Sequence, residues 1–197
     1  MAGVLFKYYL MIPGILYFTL VYFKTRLMKQ YLILLVSCMV LNVLTCYSQD
    51  FEVPNYVLKE KEDYTKYEKD MIAAEKWLVN TPIKEQTFKR REVSAFVIEW
   101  VDGSPTVNCE LFSFLVDLEK KNNGMLAVYM AATARYVLEN NYSKELRPKH
   151  LFALKELMLF YNNNKAMKKD KKMDKLISAD EKNELDAWME ENMKMEK

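Results

Sequence analysis

Helix-breaking residues are scarce in this chain, and their positions constrain its fold more than any other feature. Past residue 48 the only glycines are Gly103 and Gly124, and the only prolines are Pro54, Pro82, Pro105 and Pro148. Rossmann and P-loop proteins need glycine-rich phosphate loops, and a β-sandwich needs frequent turn residues. Neither need is met. The six breakers instead leave segments long enough for helices. Asp50–Lys59 reads as an extended lead-in, because Pro54 turns the residue before it away from helical geometry.

Between the breakers, apolar residues recur with helical spacing. Tyr64, Tyr67, Met71, Ala74 and Leu78 mark a helix over 61–79. Thr81 suits an N-cap and Pro82 a first helical position, so a second helix is predicted over 82–101. Asp102 to Pro105 is a turn. A third helix over 105–121 carries Leu111, Phe114, Leu115 and Leu118 and ends at Asn122-Asn-Gly124. A fourth, over 125–140, has no charged residue from Met125 to Ala134; a helix apolar nearly all round is the central, buried one. A fifth over 147–162 has its stripe at Leu151, Leu154, Leu157, Met158 and Tyr161. A sixth over 179–193 starts at a capping box of Ser178 and Glu181. The expected fold class is all-α, a single-domain bundle of five to six helices joined by short loops, over residues 61–197.

The first 48 residues are of another kind. They hold no Asp or Glu and only four basic residues, Lys7, Lys24, Arg26 and Lys29. The other 149 residues hold 25 basic and 27 acidic groups, which gives no case for binding nucleic acid. Two apolar stretches, Val4–Phe23 and Tyr31–Tyr47, flank the basic hexamer Lys24–Lys29. Read from Met28, the second stretch is a signal peptide: Lys29 is its charged start, and Tyr31–Leu44 falls within the usual h-region of about 7–15 residues. Cys46 and Ser48 are small residues at −3 and −1 of a cleavage before Gln49. Residues 1–27 are then an upstream extension, 28–48 the signal and 49–60 the lead-in. Two alternatives stay open. Both stretches could form a membrane hairpin, although the second is short against the roughly 20 residues a span needs. Cys46 could instead carry lipid, although Thr45 stands where a lipobox has Gly or Ala. In each case the basic hexamer stays cytoplasmic and the helical domain lies across the membrane, periplasmic or secreted, touching the bilayer only through its N-terminal segment.

Chemistry-bearing residues are few. There is no HExxH, GxSxG or CxxC motif, and one His with three Cys leaves little for a metal cluster, so no metal and no cofactor is expected. His150 is expected at the surface or in a cap. Cys109, alone in the helical domain, is expected as a small buried hydrophobe near a helix start. Glu99 and Arg135 each interrupt apolar runs; one hypothesis pairs them, and the alternative turns each outward separately. Lys165–Lys175, with six lysines, reads as a solvated connecting helix. Trp77, Trp100, Tyr129, Tyr136, Phe152 and Phe160 read as core aromatics rather than as the wall of a ligand cavity.

Three runs carry a likeness. Trp77-Leu-Val-Asn-Thr-Pro82 is followed by Arg91 and Phe96-Val-Ile-Glu-Trp100-Val-Asp-Gly-Ser-Pro-Thr106, and then by Tyr136-Val-Leu-Glu-Asn140. Together these resemble a family of small, exported, all-helical proteins of Gram-negative bacteria of uncharacterised function. The resemblance covers most of residues 50–193, implies an exported helical domain, and brings no catalytic residues with it. Residues 1–27 depart from its pattern, in keeping with a start at Met28.

The functional expectation is a non-enzymatic domain of the cell envelope that binds an envelope protein or a small ligand. The alternative is a small hydrolase-like enzyme with its site near the 102–106 loop, where Asp102 and Ser104 stand between two buried helix ends. A concave pocket holding Asp102, Ser104 and His150 would favour the enzyme. A filled core with one exposed apolar groove would favour binding.

Overall fold

The computed structural model describes Tyr22 and residues 51–193. Apart from Tyr22, the two apolar stretches, the basic hexamer and the Ser48–Gln49 junction lie outside the described residues. The chain divides into two units, Met1–Tyr47 and Ser48–Lys197. Residues 51–193 belong to the second and form eight helices with no strand. In order these are α1 (Lys61–Lys66), α2 (Glu68–Asn80), α3 (Thr87–Gly103), α4 (Ser113–Lys121), α5 (Met125–Glu139), α6 (Leu146–Asn163), α7 (Lys171–Glu181) and α8 (Leu185–Met193).

The all-α class stands, with more helices than the five or six expected. The predicted helix over 61–79 is two, broken for one residue at Tyr67. An i, i+3, i+4 pattern runs through so short a break in register, so periodicity cannot see it. The predicted helix over 82–101 starts five residues late. Thr81 and Pro82 do not begin it: Asn164 Oδ1 accepts the Ile83 N–H at 2.6 Å, and Gln86 takes a left-handed conformation (φ 46°) just ahead of Thr87. Residues 104–112 are not helical, so α4 begins eight residues after the predicted start at 105. At the C-terminal end, Ser178 and Glu181 lie inside α7 and form no cap. The N-cap there is Asp170, whose Oδ1 accepts the Lys172 N–H at 2.8 Å. The Lys165–Lys175 run is therefore a loop leading into a helix rather than one connecting helix.

The expectation for the central helix holds. Ten of the 15 residues of α5 are buried, and α2, α3, α4 and α6 all pack against it. Its N-terminus is capped from outside. Glu119 on α4 accepts the N–H groups of Gly124 at 3.0 Å and Leu126 at 2.9 Å, placing a carboxylate at the positive end of α5. Gly124 itself has φ 95°, which only glycine adopts freely. The extended lead-in packs on α3: Phe51 is buried with its ring centroid 6.5 Å from that of Phe96, and Tyr56 lies 5.0 Å from the same ring. Of the six aromatics assigned to the core, Trp77, Trp100, Tyr129 and Phe160 are fully or almost fully buried. Tyr136 and Phe152 are half-buried and pack on one another at 5.8 Å.

Candidate functional site

A cleft of about 500 Å³ opens between the 104–111 loop, the C-terminal end of α3, one side of α5 and the start of α6. That is within the range of about 300–1,000 Å³ typical of small-molecule sites. The loop is shaped locally. Ser104 Oγ accepts the N–H groups of Thr106 at 3.3 Å and Val107 at 3.2 Å, a side-chain turn that replaces the predicted first turn of a helix. Val107 anchors the loop in the core. Lys149, from the first turn of α6, then holds it from below: its Nζ donates to Asn108 O at 2.8 Å and to Glu110 Oε2 at 2.7 Å. The Lys149 side chain is 4% exposed. An ammonium carries three donors, and the protein takes two of them here. Asp102, Ser104, Cys109, Glu110 and Lys149 all line the cleft, with Met130 and Val137 as its apolar wall and Leu111 and Leu146 exposed at its mouth.

Behind this wall lies a buried polar chain. His150 is fully buried, against the expectation of a surface or capping residue. Its ring stacks on Tyr129 and meets Phe112 edge-on at 5.2 Å. Burial holds the Tyr129 phenol well above its ordinary range, so it stays protonated, and its hydroxyl lies 2.6 Å from His150 Nδ1. The Glu110 carboxylate, with Oε2 3.1 Å from His150 Nε2 though off the line a hydrogen bond requires, favours the imidazole proton on Nε2, the tautomer in which the phenol donates to Nδ1. Burial, with Lys149 next door, pulls the imidazole down to about 4 against the pull of Glu110, so it is neutral at pH 7. Cys109 lies in the loop rather than in a helix, half-buried. Burial pushes its thiol up to about 11, leaving no thiolate at neutral pH.

The structure brings Asp102 and Ser104 to one cleft but leaves His150 behind its wall. It does not bring Glu99 and Arg135 together. Glu99 is exposed and accepts a hydrogen bond from the Tyr56 hydroxyl at 2.7 Å. Arg135 turns instead to Glu75 on α2 (2.9 Å), Glu139 one turn on (3.0 Å) and Glu156 on α6 (3.8 Å), with its guanidinium 5.3 Å above the Phe152 ring. Burial of Glu75 pushes its carboxyl up to about 7, with Arg135 opposing the shift.

A third buried charge is structural. Arg90 sits between the rings of Trp77 and Phe160, each centroid 5.4 Å from its Cζ, and donates to the carbonyls of Leu78 (3.2 Å) and Thr81. It thus closes the C-terminal end of α2, where the helix dipole favours a cation. Desolvation lowers its guanidinium to about 10, still charged at pH 7.

Glu75, Arg90 and His150 were not singled out as buried from the sequence, yet a signal was there. Each falls on the apolar stripe of its helix: Glu75 is four past Met71 and three before Leu78, Arg90 is three before Val93, and His150 is four before Leu154. Among the described residues no group of His, Cys, Asp and Glu is placed to hold a metal ion, and no helix is long and apolar enough to cross a membrane. No family model matches the chain, and neither a curated protein nor a solved structure matches it.

Proposed function

We propose that the helical domain is an exported, non-enzymatic binding module of a Gram-negative cell envelope, in line with the family it resembles, and that the cleft takes a small amphipathic ligand. The observation that carries this reading is the cleft itself. A nearly buried ammonium with one donor uncommitted to the protein lies at its floor, apolar side chains form its wall, and Leu111 and Leu146 are exposed at its mouth. Such a mixture suits a molecule with a polar head and an apolar body. The state of the nearby groups supports binding over chemistry. The Cys109 thiol and the His150 imidazole are both neutral at pH 7, and the Ser104 hydroxyl is occupied as an acceptor for its own loop.

Two experiments test the proposal. Protein recovered in native form from the envelope and then denatured should release a small molecule in stoichiometric amount by mass spectrometry. Leu146→Trp, which sets an indole across the mouth, should release none while melting at an unchanged temperature. Wild-type protein that releases nothing overturns the ligand reading. N-terminal sequencing after cell fractionation tests export: Gln49 at the N-terminus is expected, and recovery from the cytosol overturns it. The hydrolase alternative rests on Asp102 and Ser104 lining the same cleft as Cys109. Turnover of p-nitrophenyl acetate abolished by Ser104→Ala would favour that alternative.

A further inference from the structure

We propose that the carboxylate cluster around Arg135 is a proton switch, in which a proton held by Glu75 tightens the seam of α2, α5 and α6 and its loss loosens that seam. The switch is independent of the cleft.

The geometry carries the argument. The Glu75 side chain is fully buried. Its Oε2 accepts from Arg135 Nη1 at 2.9 Å, while its Oε1 has neither a hydrogen-bond partner nor solvent. The guanidinium is not Glu75's alone. Arg135 Nε is taken by Glu139 Oε2 at 3.0 Å, and Glu156 Oε1 stands 3.8 Å from Nη1. The charged groups that meet here come from all three helices: Glu75 and Lys76 on α2, Arg135 and Glu139 on α5, and Glu156 on α6. Lys76 lies on the outside, half-exposed, and reaches only Glu139, at 3.4 Å. The fourth helix of the core, α3, places no charged side chain within ion-pair distance of the cluster among the described residues. Three carboxylates therefore share one guanidinium and one solvent-facing ammonium. Fully ionised, the cluster holds an unbalanced negative charge, and part of it sits on an oxygen with nothing to stabilise it.

The protonation behaviour follows from that arrangement. Burial is the main cause that raises the Glu75 carboxyl, to about 7. The charges of Glu156 and Glu139 add to it, and the Arg135 guanidinium opposes it. Burial raises Glu156 in the same direction. A carboxyl raised on folding binds its proton more tightly in the folded state. Its contribution to stability is fully present below the ordinary 4.5 and is lost as pH rises through about 7. Arg135 already fills the centre of the acidic cluster, so the cluster reads as a proton site rather than a metal site.

The test compares amide hydrogen exchange of the full-length wild type and Glu75→Gln in α2, α5 and α6 at each pH from 5.5 to 8.5, so that intrinsic exchange cancels in the ratio. At pH 5.5 the wild type's excess exchange over the variant should be at its smallest. By pH 8.5 the wild type should exchange at least about tenfold faster along this seam, the ratio expected when one proton is lost over more than one pH unit. A ratio that stays constant across the range overturns the switch. A direct readout accompanies it: the side-chain carboxyl ¹³C resonance of Glu75 should titrate near 7 in the wild type and lower in Glu156→Gln. A midpoint in the ordinary carboxylate range overturns the proposal even if Glu75→Gln fails to fold.

Discussion

Two polar clusters are buried in this domain, both built on α5 and α6, and they respond to burial in opposite directions. At one, the carboxyl of Glu75 is raised; at the other, the imidazole of His150 is lowered. The leading cause is the same in both, since a low dielectric disfavours the charged form whatever its sign. The acid holds its proton and the base loses its own. Each cluster leaves one buried atom without a hydrogen bond, His150 Nε2 and Glu75 Oε1, but in different surroundings. His150 has Tyr129 on Nδ1, aromatic rings on two sides and a carboxylate opposite Nε2. Glu75 has one oxygen well bound and one bound to nothing. The domain is therefore limited at both ends of the pH scale. A base lowered on folding gives stability that is complete above its ordinary 6.5 and is lost as pH falls through about 4. Glu75 removes stability in the other direction, as pH rises through about 7. Maximum stability should lie between these limbs.

Mutations can break this comparison one side at a time. The largest effect is expected from Arg135→Met, which leaves three carboxylates facing one another. Urea denaturation should show a loss of about 3 kcal/mol at pH 8 and clearly less at pH 5, where protons replace the guanidinium. His150→Leu should cost about 2 kcal/mol at pH 7, because the buried Tyr129 hydroxyl loses its partner. It should also flatten the acid limb: the fall in stability between pH 6.5 and 4 shrinks, while the alkaline limb attributed to Glu75 stays. An acid limb unchanged in this variant would mean that another group carries it. Tyr129→Phe should cost about 1 kcal/mol and couple non-additively with His150→Leu in a double-mutant cycle. The smallest effect is expected at the surface. Tyr56→Phe removes the bond to exposed Glu99 and should change stability by less than about 0.5 kcal/mol, because water replaces what the hydroxyl supplied. A larger loss would show that the lead-in strap contributes more than its aromatic packing on Phe96.

The legible parts of this chain were those decided by neighbours within a few residues. The uncharged run from Met125 to Ala134 marked the central helix, because a segment with no polar face has no face to turn to water. Gly124 located the boundary between α4 and α5, since a φ of 95° admits little else. The loop after α3 was visible, but it begins at Ser104 rather than at Asp102, which lies in the last turn of α3, and its extension to residue 112 was not visible. Leu111 and Phe112 carry helical spacing, and it is Lys149, some 40 residues on, that holds this backbone out of a helix. Arg135 shows the same limit. Its need for a partner was legible, but the partner was Glu75 rather than Glu99: Glu75 stands on the buried stripe of α2, whereas Glu99 turns outward to Tyr56, and only the packing of helices far apart in sequence shows which carboxylate reaches the guanidinium.

The sequence by itself determined an all-helical domain, its central helix and its two glycine-marked helix ends, all of which follow from propensity and period along the chain. Only the tertiary structure decided where the helices at 61–79 and 179–193 break and what each buried charge meets. Those outcomes depend on hydrogen bonds and desolvation between residues far apart in sequence, and no local pattern carries that information.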